Sequence, residues 1–305
     1  YAAACKAVYS GSIPDSASIN IMKIGIIGYG FVGKALANGI NDDVEISKID
    51  PKLNTSVDNL IEFNPNIIFV CLPTPMLDDG SQDISIIEKV LNDLKSKNLE
   101  SLVVIKSTVL PKNIENIQKI FTNFVYNPEF LREKSANDDF INSKLIIFGG
   151  DRSNSELLAS FYDKHTKCKC KDYIFTDAES ATLVKYTINS FLATKVIFFN
   201  EIFNLFNQIN SNESWDNFTS IISKDERIGD SHMMVPGHDG RFGFGGACFP
   251  KDTSALISYA DSLNVDLSLI KDAIEQNNKI RSTYKKQTER EKEQNISFKD
   301  YKKSE

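Results

Sequence analysis

Seven short apolar runs, rich in β-branched residues, recur between Met22 and about Phe175: MKIGIIG, VEISKID, NIIFVCL, SLVVIKSTV, FVYN, KLIIFGG and DYIFT. Between several of them, segments such as ISIIEKVLNDLKSK repeat apolar residues at the three-to-four spacing of an amphipathic helix. Strands alternating with helices predict an α/β fold, a doubly wound parallel sheet spanning residues 22–175. In such sheets ligands bind beyond the carboxyl ends of the strands, so the residues just after each run are the first candidates for chemistry.

At Thr176 the pattern changes. Thr176 followed by Glu179 reads as a capping box, and neither Gly nor Pro then occurs until well past Asn210. The spacing predicts a helix over 177–209, about 50 Å long at 1.5 Å per residue. It carries FLATKVIFFNEIFNLF, too apolar to be solvated all round, which points to a core-crossing helix or a homodimer contact. A Gly-, Pro- and His-containing loop over 228–247 follows, then further helices to about Tyr284, so 176–284 reads as an all-helical central domain. The remainder, 285–305, is mostly charged and polar, a solvated helix end or a disordered tail. Residues 1–21 do not resemble the start of the fold. Their apolar stretch is broken by Lys6 and Pro14, unlike a secretory signal, and Met22 reads as the natural start.

Composition changes this picture only at its margins. A chain of 305 residues, 41% hydrophobic and 25% charged, suits two globular domains. A net charge of −6 provides no overall basic field for nucleic acid or an anionic membrane, and no apolar run approaches the roughly 18 residues of a membrane span. The five cysteines are odd in number and scattered, which argues for a reducing, cytoplasmic setting rather than a disulfide framework. Cys168 and Cys170 form a lone C-x-C without the second pair a zinc site needs. His232, His238 and Asp239 read as packing in a substrate loop, so no metal is expected.

GYGFVG, comprising Gly28, Tyr29, Gly30, Phe31, Val32 and Gly33, lies directly after a predicted strand and before a predicted helix. Gly28 permits a tight turn, Gly30 lets backbone approach a pyrophosphate, and Gly33 allows close helix–strand packing. Asp50 ends the next strand about 20 residues on, the place of a ribose-binding carboxylate, and its charge repels a 2′-phosphate. The prediction is a Rossmann-like NAD site. Pro73 and Thr74 after the third run line the crevice or make a plain turn. Ser107 and Thr108 after the fourth bind a ribose or a water, or simply cap a helix. Glu129 and Glu133 share a face if their segment is helical, as a base and water-positioning pair or as surface acids. Lys185 and Asn189, also four apart, offer an ammonium and an amide to a developing oxyanion, or an exposed helix face.

GFGGACFPKD carries the most specific chemistry. Its glycines let backbone come close to a ligand. Cys248 enters a helix N-terminus, where N–H groups favour a thiolate, with Lys251 and Asp252 within four residues. A buried packing cysteine is the alternative.

In this order, GYGFVG, VCLPTP, KSTVLP, NPEFLRE, the AES…K…N helix ending FFNEI, and GFGGACFPKD resemble the nucleotide-sugar 6-dehydrogenases, whose substrates include UDP-glucose and GDP-mannose. The resemblance covers residues 22 to about 280. It implies oxidation of a sugar C6 alcohol to a carboxylate with two NAD in succession, UDP-glucose being the expected substrate. Cys248 matches the family's nucleophile, Lys185 and Asn189 its oxyanion-stabilising pair, and Asp252 its water-positioning carboxylate. Thr108 and Glu133 match residues of proton handling and water activation. Glu129, Phe130, Leu131, Arg132 and Glu133 match a sugar-holding segment, as do Phe242, Gly243, Phe244, Gly245 and Gly246. Lys251 matches a position near the nicotinamide, and Arg227 an arginine that reaches the neighbouring subunit's substrate in a homodimer.

The chain departs from the family in two places. Glu133 is followed by Lys134 and Ser135 where the family usually has Glu-Gly. The family also continues into a third domain, a second nucleotide-binding fold over the substrate's nucleotide, where this chain enters its charged tail. The chain is accordingly expected to be a fragment or a shortened form. Two other readings compete: a two-electron hydroxyacid dehydrogenase, which needs no catalytic thiol, and a non-catalytic NAD-binding dimeric remnant.

Overall fold

The computed structural model describes residues 21–209 and 211–298. Of the extension over 1–21 set apart by its sequence, residues 1–20 lie outside the described residues, as do 299–305. All seven apolar runs form strands: β1 (Met22–Ile27), β2 (Val44–Ile49), β3 (Ile67–Val70), β4 (Leu102–Ile105), β5 (Phe124–Tyr126), β6 (Ile146–Gly150) and β7 (Tyr173–Thr176). They build one sheet in the order β2-β1-β3-β4-β5-β6-β7. β3 and β4 are buried on both faces, which is why their sequences read as unbroken apolar runs.

Helices cover both faces. On one side α1 (Phe31–Gly39) contributes Leu36 to a first core; on the other, α2 (Asn59–Phe63), α3 (Ser85–Ser96) and α4 (Pro111–Ile120) bring Leu60, Leu91 and Ile114. α5 (Ala136–Ile141) and α6 (Arg152–His165) add Phe140, Phe161 and Tyr162 to the first core.

The sheet is parallel as expected but for one pair. β6 runs antiparallel to β5, and β7 parallel to β6. Six-residue α5, about 9 Å long, does not carry the chain back across the sheet, so it re-enters from the edge at which β5 ended. This reversal positions the site. Helix α7 (Ala178–Phe206) starts beyond β7, at the edge opposite the carboxyl ends of β1–β5, and must cross the sheet face to reach them. Small residues let it lie close: a Cβ on Gly149 would come within 2.7 Å of the Ala181 Cβ. One turn on, Lys185 emerges where β5 ends and donates to the Glu129 carbonyl at 2.6 Å.

The N-cap of α7 is Asp177, one residue beyond the expected Thr176; its carboxylate accepts from Ser180 N–H at 2.6 Å. Both residue types cap well, so composition did not separate them. After α7, α8 (Trp215–Ile222) packs its single tryptophan among Phe199, Phe203 and Phe206, and Trp215 Nε1 donates to Met233 O. α9 (Phe249–Ser262) and α10 (Ser268–Arg281) close the central domain against α7.

The tail also departs from expectation. Residues 288–296 are folded around α11 (Glu289–Glu293), whose N-cap Thr288 and Glu291 form a capping box. Glu291 is fully buried, and Ile296 nearly so. No helix among the described residues is long and apolar enough to cross a membrane.

Candidate active site

The turn after β1 fits a dinucleotide. Gly28 has φ +89°, and a Cβ there would lie 2.5 Å from the Cys71 carbonyl oxygen, so this position requires glycine. A Cβ on Gly33 would sit 2.3 Å from Gly28 O. At Gly30 the space is open, with nothing within 4 Å of where a Cβ would stand. As N-cap of α1, Gly30 supplies no side-chain acceptor, so the first N–H groups of the helix, from Phe31, Val32 and Gly33, are left for an outside anion. Asp50 accepts from Tyr29 N–H and from Lys52 N–H, each at 2.8 Å. It thereby fixes the turn while keeping lone pairs for ribose hydroxyls. These residues fit NAD.

The loops after β3 and β4 are tied to each other. Thr74 Oγ1 donates to Thr108 O at 3.0 Å, and the buried Ser107 hydroxyl donates to Val70 O at 3.4 Å. Their hydroxyls therefore hold the crevice wall, with Pro73 between the strand end and Thr74. Gln82, which sequence reasoning missed, bonds Thr108 O, Tyr186 Oη, Leu110 N–H and the Asn113 amide, joining α7 to this wall.

Around Cys248 the structure gathers charge in pairs. Cys248 is the N-cap of α9, and Asp252 N–H donates to its carbonyl at 2.9 Å. Asp252 is 1% exposed; its two oxygens take the Lys251 ammonium and the Asn189 amide, the latter at 2.6 Å. Buried Lys185 donates to Glu129 O and lies 3.7 Å from Glu129 Oε1 and over the Phe130 ring. Burial and then Asp252 push the half-buried thiol up to about 11; Lys251 and Lys185 pull against this and Glu129 adds to it. Desolvation thus opposes the preference of a helix N-terminus for the thiolate. For Lys251 burial disfavours the charge, but Asp252 more than restores it and the ammonium is held above its ordinary range.

Glu129 and Glu133 do not share a face. The segment between them is irregular and Glu133 opens a short 3₁₀ turn through Lys134 and Ser135, the sequence that departs from Glu-Gly. Glu129 points inward, with Oε2 accepting Leu131 N–H at 2.9 Å. Glu133 is about half exposed and pairs with Arg290 at 2.9 Å. Arg132 lies outside, bonded to Asp139 through both carboxylate oxygens. Leu131 is half-buried behind it. Arg227 is exposed and pairs with Asp225, away from the thiol's charged neighbours.

The glycine loop before the thiol is held by side chains unsuspected from sequence. Gly243 N–H donates to Asn200 Oδ1, Phe244 N–H to Asn277 Oδ1, and Phe242 N–H to Tyr284 Oη, at 2.9, 2.7 and 3.0 Å. Arg281, 3% exposed, donates to Gly243 O at 2.9 Å and to Asp239 Oδ2 at 2.6 Å. A Cβ on Gly245 would lie 2.6 Å from Arg281 Nη1, so Gly245 is small of necessity. Asn277 and Arg281, four apart and polar on the buried face of α10, carried a signal in the break they make in its apolar stripe. Of the other loop polar groups, His232 packs on Phe249, where burial pushes it down to about 4.

Comparison with known proteins points to one family. Residues 51–166 match the NAD binding domain of the UDP-glucose/GDP-mannose dehydrogenase family, and 179–279 its central domain. The chain is 32% identical over 299 residues to a UDP-glucose 6-dehydrogenase of Rickettsia felis, covering 84% of this chain and 64% of that protein. It is 33% identical over 312 residues to one from Campylobacter jejuni, covering 90% and 76%. The solved structure of a UDP-glucose dehydrogenase from Pyrobaculum islandicum superposes with TM-score 0.67 at 26% identity, over 88% of this chain and 70% of that one. The chain thus spans about two thirds of the length of such relatives, reaching through both matched domains. With a sheet, a cofactor turn and a central helical domain in the same order as these proteins, it belongs to the UDP-glucose/GDP-mannose dehydrogenase family.

Proposed function

We propose that this chain oxidises the C6 alcohol of a nucleotide sugar, UDP-glucose being the first candidate, to the carboxylate in two NAD-dependent steps through Cys248. The observation that carries this reading is the pairing around the thiol: Lys185 with Glu129, and Lys251 with Asp252, the latter bridged to Asn189. A two-electron hydroxyacid dehydrogenase has no use for a thiol among two ammonium–carboxylate pairs.

NAD, held by the Gly28–Gly33 turn and Asp50, supplies a hydride acceptor. The chain's own residues do the rest. Lys185 and Asn189 stabilise negative charge on the sugar oxygen as the alcohol gives its O–H proton to a water and its C–H hydride departs to leave an aldehyde. The aldehyde has no hydride to give until the Cys248 sulfur adds to its carbon. The thiol proton passes, by way of a neighbouring carboxylate, to the aldehyde oxygen as the S–C bond forms, and the product is a thiohemiacetal. Loss of its C–H hydride, with its hydroxyl proton passing to a neighbouring carboxylate, leaves a thioester. Water, placed by Asp252 or Glu129, then cleaves the S–C bond, giving the carboxylate and returning the thiol. Glu129 supports this water role better than Glu133, because it is the carboxylate beside Lys185 and the thiol. Thr108 holds the crevice wall beside it.

We also infer a homodimer through α7. Val184, Phe191, Phe198 and Leu205 recur every seven residues and stay exposed, Phe191 at 64% and Leu205 at 61%. Heptad spacing keeps them on nearly one line, an apolar stripe suited to a second copy. Exposed Arg227 would reach a partner's site by giving up its pair with Asp225.

The test is the number of NADH formed per sugar with limiting UDP-glucose, beside Cys248→Ala. Two per sugar, abolished in the variant, is the expected result. One per sugar, or turnover unchanged without the thiol, would sink the four-electron reading.

A further inference from the structure

The segment following α10 runs along the edge of the sheet where ligands of this fold bind. Its contacts touch the loops that follow β1, β2, β3 and β5, and the glycine loop before Cys248. Glu293 lies 3.9 Å from Lys52, two residues past Asp50. The Arg290 guanidinium sits 5.5 Å over the ring of Phe31, the first residue of α1. Met76 N–H, beyond Pro73 and Thr74, donates to Gln294 O at 3.2 Å. Arg290 Nε is 2.9 Å from Glu133 Oε1. At the glycine loop, Gly246 N–H donates to Glu291 Oε1 at 3.2 Å.

Glu291 has the chemistry of a ligand. It is a fully buried carboxylate whose oxygens are satisfied by two backbone N–H groups, those of Gly246 and Thr288. The guanidinium of Arg281 and this carboxylate flank the same point, 2.6 and 2.7 Å from where a Cβ on Gly245 would stand. An anion subsite beside the catalytic loop is therefore filled by the protein itself. The neighbouring cleft lined by Thr74, Met76, Gln82, Lys251 and Asp252 encloses only about 130 Å³, well below the roughly 300–1,000 Å³ of a small-molecule site.

The strap is built to be displaced. α11 has five residues, too few to be stable alone. Its ion pairs to Lys52 and Glu133 are partly exposed, the kind that contribute little.

We propose that residues 288–297 are an intramolecular competitor of diphosphate-bearing nucleotides: Glu291 occupies an anion subsite at Gly246 and Arg281, and the strap leaves the crevice when the nucleotide binds. This rests on the NAD and nucleotide-sugar reading above.

The test combines two measurements on the full chain. Binding of NAD and of UDP-glucose is measured separately by calorimetry for the wild type and for Arg290→Ala/Glu291→Ala. Amide exchange across 288–297 is followed by mass spectrometry with and without each nucleotide. The variant is expected to bind at least one of them about tenfold more tightly, and that nucleotide is expected to speed exchange at Lys292 and Ile296 in the wild type; which nucleotide does so tells which half of the crevice the strap guards. Equal affinities with unchanged or slower strap exchange would overturn the proposal while leaving the function intact. Binding of neither nucleotide by either form would remove the function reading and the strap with it. If the variant fails to fold, the wild-type exchange experiment decides alone.

Discussion

The thiol's environment makes a prediction opposite to the usual picture of an activated cysteine. With Cys248 held at about 11 rather than the ordinary 9.0, only about one thiol in a thousand is ionised at pH 8. That is roughly a hundredfold less thiolate than an unperturbed cysteine provides. A thiolate of higher pKa is also the better nucleophile, and a Brønsted slope near 0.45 returns about eightfold over two units. Alkylation of Cys248 at pH 8 is therefore expected to be about tenfold slower than for an unperturbed cysteine of equal access. Its rate should still be rising at pH 10.

Asp252→Asn tests the cause. Burial remains, but the carboxylate that disfavours the thiolate is gone while Lys251 and Lys185 still favour it. The amide keeps the shape and a bond to Asn189. The midpoint should fall by a unit or more, so alkylation near pH 8 rises about tenfold. The assay is iodoacetamide labelling of Cys248 across pH 6–11, read by mass spectrometry, with melting curves confirming the fold. A wild-type midpoint at or below 8.5, or no drop in the variant, would refute the reasoning. The first outcome would mean that the helix N-terminus outweighs desolvation. If instead the thiol titrates high, the proton must be removed as sulfur attacks the aldehyde, which gives the surrounding carboxylates a role in the chemical step.

Other consequences can be checked singly. Gly33→Ala would place a methyl 2.3 Å from a backbone oxygen, so it should cost about 1–3 kcal/mol in stability and weaken NAD binding in calorimetry. Asn277→Ala leaves the buried Phe244 N–H without its acceptor, a penalty of about 1–3 kcal/mol; thermal melting should fall and kcat should fall more than KM rises. Phe191→Asp with Phe198→Asp should convert a dimer to a monomer in light scattering, with the chain still folded by circular dichroism. The half-buried His232 has its folded pKa down at about 4, below the usual 6.5, so the unfolded chain takes up the extra proton between those values. Its share of stability is complete above pH 6.5 and is lost as pH falls toward 4, so the melting temperature of His232→Gln should be less sensitive to pH across that window.

What the sequence displayed and what it hid divide along the range of the interactions involved. β3 and β4 are apolar on both faces, and the turn at Gly28 needs a backbone only glycine adopts; both constraints are local and were legible. The cluster of Cys248, Lys185, Asn189 and Asp252 was legible through spacing within each helix and through family resemblance, though no local rule joins two helices 63 residues apart. The direction of β6 was not written in β6. It follows from where α5 releases the chain, and it decides the course of α7. Glu129 and Glu133 have the same spacing whether their segment is helical or not, so only the backbone shows that one turns inward and the other outward. The tail shows the limit most clearly. Its charge reads as solvation, because a carboxylate alone belongs in water, yet Glu291 is buried by an N–H supplied 45 residues earlier in a loop that exists only once α9 and α10 have packed. A charged segment with an unfilled anion site elsewhere in its own chain has a second place to go. The same argument sets the condition under which it leaves, since any ligand whose phosphates meet Gly246 and Arg281 better than one carboxylate does will displace it.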